Sequence, residues 1–157
     1  SDAMAQVGAS GTIEIRVNGL VEVSAATCLG KSLVVRSAPG YSPVLMWDAT
    51  AAGAKTDDSL FGLEHASKLT LENVALLVRT DGEKILGVAS MEPGAELVVR
   101  DSSIQIDGGL MKSKALLAKG SAGVGQTSES VAKVQLVRST VRTSGSVVSS
   151  VLATGGT

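Results

Sequence analysis

ELVVRDSSIQ, running from Glu96 to Gln105, decides the fold. Leu97 and Val99 alternate with their neighbours, Asp101 interrupts the run, and Ile104 resumes it. Alternation with a period of two marks a strand rather than a helix. Four further stretches lie over this one: TIEIRVNGLV from Thr12, SLVVRSAPGY from Ser32, KLTLENVALL from Lys68 and KVQLVRSTVR from Lys133. Their second positions are Ile13, Leu33, Leu69, Leu97 and Val134. Their fourth positions are Ile15, Val35, Leu71, Val99 and Leu136. Polar residues recur at Ser37, Asn73, Asp101 and Arg138, where each strand would end. Equivalent positions are separated by 20, 36, 28 and 37 residues, within the range of solenoid and propeller repeats.

The local period selects among repeat architectures. Val, Ile, Leu and Thr dominate the blocks, as strands prefer. No stretch carries a capped amphipathic helix, which disfavours helical and leucine-rich repeats. A propeller needs four strands per blade and aromatic signatures, and the chain has only Trp47, Tyr41 and Phe61. The pattern therefore predicts an all-β, single-stranded right-handed parallel β-helix of about five coils. A second strand of each coil is expected at Leu20–Val23, Val44–Trp47, Leu76–Val78, Ile104–Ile106 and Val141–Thr143. A third is expected at Leu60–Leu63, Ile85–Ala89, Leu116–Ala118 and Val147–Leu152. Insertions are placed at Ala49–Ser59 and Gly108–Ser130. The rival fold is an antiparallel β-sandwich, because Asn18-Gly19, Asp81-Gly82 and Asp107-Gly108 are dipeptides of tight hairpins.

The stretch GTIEIRVNG (Gly11–Gly19), followed by GKSLVVRSAPGYSPVL (Gly30–Leu45), resembles right-handed parallel β-helix regions of the pectin-lyase-like type. More narrowly, it is similar to repeat regions of large multidomain bacterial proteins, including regions attached to Ser/Thr protein kinases in planctomycete-type bacteria. The resemblance spans Gly11 to about Ser146. It implies a scaffold or interaction module. Kinase motifs are missing from this stretch of sequence: it has no HRD, no DFG and no Gly-rich loop followed by a strand lysine. Any attached kinase would lie outside this chain.

Composition limits the chemistry. At 157 residues and 44% hydrophobic content the chain can bury a core. A formal net charge of −1 argues against a nucleic-acid binder, and no apolar run reaches the length of a membrane helix. One cysteine, Cys28, excludes an internal disulfide framework. Ser1-Asp2-Ala3 reads as an expression-tag remnant, and 4–157 as one domain excised from something longer.

Candidate sites are sparse. Trp47 and Tyr41 lie near Asp48, Asp57 and Asp58, and this set is the best ligand groove the sequence offers. Aromatic faces stack on sugar rings, and paired carboxylates cleave glycosidic bonds, so a carbohydrate-binding or carbohydrate-cleaving lyase or hydrolase is the alternative function. The bland reading buries Trp47 and Phe61 as packing residues. Gly120–Thr127 nearly spells a phosphate-binding loop, but Gln126 stands where lysine is needed. His65, the lone histidine, reads as a surface residue and Cys28 as a small core residue. Arg16, Arg36, Glu72 and Arg100 are expected to stack as a charge ladder on the outer face. No catalytic residue, metal or other cofactor is expected. The partners admitted are flanking domains of the same polypeptide or a protein at the open coil ends, a second copy, or a carbohydrate.

Overall fold

The computed structural model describes residues 6–50, 59–80, 86–108, 115–120 and 132–143. Fourteen strands occur among them, and they follow one another in rounds. The first round is β1 (Ser10–Ile15), β2 (Gly19–Glu22) and β3 (Ala26–Leu29). The second is β4 (Ser32–Ser37), β5 (Pro43–Asp48) and β6 (Ser59–Glu64). The third is β7 (Lys68–Glu72), β8 (Ala75–Thr80) and β9 (Leu86–Met91). The fourth is β10 (Glu96–Arg100), β11 (Ser103–Gly108) and β12 (Ala115–Gly120). The fifth holds β13 (Lys133–Val137) and β14 (Thr140–Thr143).

Every third strand belongs to the same sheet. The orders are β1-β4-β7-β10-β13, β2-β5-β8-β11-β14 and β3-β6-β9-β12. All eleven strand pairings among the described residues are parallel. The antiparallel sandwich is thereby overturned. Its hairpin dipeptides serve other ends: Gly19 opens β2 at a φ of 83°, and Asp107-Gly108 lies inside β11. Asp81-Gly82 falls outside the described residues.

The register puts like residues over like. Leu33, Leu69, Leu97 and Val134 are aligned neighbours, as are Val35, Leu71, Val99 and Leu136. The first block needs a correction. Val35 pairs with Ile13 and Leu33 with Gly11, two residues from the alignment that sequence similarity favours. A slip of two keeps every side chain on its own face, so the apolar pattern does not distinguish the two registers. In the second sheet Val21, Leu45, Leu76, Ile104 and Val141 form the matching column. In the third, Cys28, Leu63 and Met91 align. β3 itself was not foreseen, because Ala26-Thr27-Cys28-Leu29 lacks alternating large aliphatics. β12 lies inside the span expected to be the second insertion, at the place where Leu116–Ala118 was expected to form a strand. The strand expected at Val147–Leu152 lies outside the described residues.

The corner from the first sheet to the second is built alike in three rounds. Asn73, Asp101 and Arg138 adopt positive φ values of 52°, 49° and 47°. Asn and Asp tolerate that conformation better than most residues; Arg138 holds it with its guanidinium on Asp101, 2.5 Å from Oδ1. Backbone pairing continues through the bend: Asn73 N–H donates to the Arg100 carbonyl at 3.0 Å and Asp101 N–H to that of Val137 at 3.0 Å. Ser102 and Ser139 line this corner. The Ser102 hydroxyl donates to the Arg100 carbonyl at 2.7 Å and accepts from Val74 N–H at 3.2 Å. A buried hydroxyl without such partners would be costly, and Ser102 has both.

Candidate functional site

Of the expected groove residues, Trp47 and Asp48 fall on opposite sides of β5. Trp47 is 6% exposed and belongs to the hydrophobic core, in register with Val78. Its parity in β5 matches that of inward Leu45, which explains why it packs inside. Asp48, the next residue, is exposed on the other side. There its carboxylate accepts from the Thr50 hydroxyl at 2.6 Å and from Thr50 N–H at 2.9 Å. Those bonds, the hydroxyl's first, hold the Asp48 carboxyl below the usual range. This is a local turn closure rather than a catalytic arrangement. Tyr41 is 37% exposed and follows the turn at Gly40. Phe61 is buried in the core. Asp57 and Asp58 lie outside the described residues, as does most of Gly120–Thr127, of which Gly120 ends β12.

The remaining candidates resolve simply. Cys28 is fully buried, and burial pushes its thiol pKa up, which opposes thiolate chemistry. His65 is exposed, with Nδ1 3.4 Å from a Glu92 carboxylate oxygen. Among the described residues no group of three or more His, Cys, Asp or Glu gathers to hold a metal ion. No helix among them is long and apolar enough to cross a membrane.

What the fold does assemble is charge in register on the outer face of the first sheet. The corrected pairing stacks Glu14, Arg36, Glu72 and Arg100, alternating in sign. Arg16, expected in that column, instead donates to Glu14 from beside it at 2.8 Å, while Arg36 reaches the other Glu14 oxygen at 3.1 Å. Hydrogen bonds from Arg16 and then Arg36 hold the Glu14 carboxyl below its ordinary range. A second ladder runs Lys68, Glu96 and Lys133. Lys68 lies 2.9 Å and Lys133 4.0 Å from Glu96, and Gln135 donates to the same carboxylate at 3.0 Å. Asp101 takes Arg138 through both oxygens, at 2.5 and 2.6 Å, which lowers its carboxyl pKa.

Between the two ladders Thr70 and Val98 are aligned in a third column. Thr70 and Val98 point away from the core, yet they are 9% and 4% exposed. The ladders' long side chains flank them, and aliphatic stems of Lys and Arg cover apolar surface while their heads stay in water. The signal was present in the sequence: Lys68, Glu96 and Lys133 each begin a block. Exposed pairs of this kind contribute little stability singly. Opposite charges across adjacent strands do oppose register slips: a slip of two between β1 and β4 would set Arg36 against Arg16.

A further device sits at the first end. Gly11 occupies the column of Leu33, Leu69, Leu97 and Val134, and a Cβ built on it would stand 2.4 Å from Val7 Cγ1. Val7 thus fills the place of the side chain that Gly11 lacks. Its carbonyl accepts from Lys31 Nζ at 2.8 Å. Comparison with known protein families, curated proteins and solved structures returns no match.

Proposed function

We propose that the chain winds as a right-handed parallel β-helix and acts as a non-catalytic scaffold or interaction module of a larger multidomain bacterial protein, one of the kind that carries a Ser/Thr kinase domain elsewhere. The observation that carries this reading is the constant parallel register of successive rounds around aliphatic columns. Right-handedness follows from strand twist, which makes nearly all parallel crossovers right-handed. Solenoids of this kind hold loops and ends at fixed spacing, each round contacting only its neighbours. Glu14, Glu96 and Asp101 each pair with a basic residue of a neighbouring round, as a surface built for rigidity does. The burial of Trp47 weighs against a sugar-stacking groove at β5.

Incubation with acidic and neutral polysaccharides tests this. The scaffold reading expects no shortened products and unchanged Trp47 emission across a glycan panel. Cleavage that Asp57→Asn or Asp58→Asn abolishes would establish the carbohydrate-active alternative instead.

A further inference from the structure

The first and last described rounds differ in chemistry. Val7 fills the vacant column position at the first end. At the far end the columns emerge at Val134, Leu136 and Val141, which are only partly buried or exposed. Their aligned neighbours one round back, Leu97, Val99 and Ile104, are 0%, 0% and 1% exposed. Lys133, Arg138 and Arg142 are all exposed in this round; Lys133 and Arg138 face Glu96 and Asp101 of the round before, and Arg142 forms no ion pair among the described residues.

We propose that a second copy of the chain docks its first round on this last round, head to tail, continuing the internal register. Leu136 belongs to the column that begins with Ile13. Arg142 belongs to the column that begins with Glu22. One more step of the same spacing therefore seats Ile13 of the added copy over Leu136 and Glu22 beside Arg142. The edges β1 and β13, each paired on one side only among the described residues, would supply main-chain hydrogen bonds by strand addition. The opposite arrangement, far end to far end, would leave Glu22 away from Arg142 and give β1 no new partner. A head-to-tail contact is heterologous, so each added copy offers the same two ends again and growth stays open. The proposal rests on the scaffold reading and names its partner.

Sedimentation velocity from micromolar to near-millimolar concentration tests it. The weight-average mass should rise with concentration, and raised salt should lower it. Glu22→Arg or Arg142→Glu alone should weaken association about fivefold, and the two together should restore it. Leu136→Asp should give a monomer that keeps the parent's circular dichroism and still melts cooperatively. A parent chain that stays monomeric throughout overturns the proposal, as does a double charge swap that fails to restore association. Either result leaves the scaffold reading to its polysaccharide test.

Discussion

Leu71 and Leu136 are the same residue in the same column of the same sheet, yet Leu71 is 1% exposed and Leu136 is 48% exposed. Their local sequences, KLTLE and KVQLV, present the same alternation. The difference arises from what lies on either side. Leu71 in β7 has β4 and β10 as neighbours, whereas Leu136 in β13 has β10 alone among the described strands. Burial in this molecule is conferred by the parallel strands on either side.

The largest effect should come from an interior round. Leu71→Asp should abolish cooperative unfolding, because it buries an unpaired charge. Leu71→Ala should cost about 3 kcal/mol through lost contacts and a residual cavity. Leu136→Ala should cost less than about 1 kcal/mol, since half of that surface is already wet. Urea titration of both alanine variants measures the contrast, and equal losses would break it. At the first end, Gly11→Ala should cost about 1 to 2 kcal/mol by colliding with Val7. The loss should shrink in a Val7→Ala background, which a double-mutant cycle would read as coupling.

Acid should act on the ends before the middle. Asp101 joins the fourth round to the fifth through Arg138, and Glu14 joins the first to the second through Arg36. Both carboxyls are held below their ordinary range. Their stabilisation is therefore present above the unfolded value, about 4, and is lost as pH falls through the lowered folded value. Tm should fall between neutral pH and pH about 3, with hydrogen-exchange protection lost in β1 and β13 before β7. Asp101→Asn should have a lower Tm at neutral pH and a smaller acid-induced drop. The smallest effect should be a gain. Ala66 sits at a φ of 56° where the next round has Gly94 at 80°, in turns closed alike by Ser67 N–H to Glu64 and Ala95 N–H to Glu92, each at 3.1 Å. Ala66→Gly should stabilise by about 0.5 kcal/mol, relief of the left-handed strain slightly exceeding the added chain entropy. A lower Tm would contradict that account of the corner.

Much of this arrangement is legible in the blocks, and the failures have physical causes. The columns through Leu69, Leu97 and Val134 follow from alternation and from the polar residues that end each strand. The first block slipped because Ile13 and Gly11 share a face, and only Val7, distant from the pattern, makes glycine the fitting residue there. The parity of Trp47 with Leu45 was available, and it marks the indole as inward; proximity to Asp48 suggested a groove that the pleat divides between two faces. Arg138 in a left-handed corner could not be read locally, since its conformation accompanies an ion pair with a residue 37 positions earlier.

Methyl and amide nuclear Overhauser contacts in the labelled protein probe the central arrangement most directly. The stacked, same-direction register requires contacts from Leu33 to Leu69, from Leu69 to Leu97 and from Leu97 to Val134, and none from Leu33 to Leu97, which would lie about 9.6 Å apart at two strand spacings. Close Hα–Hα contacts between β7 and β10, the mark of antiparallel neighbours, or a direct Leu33–Leu97 contact would contradict it.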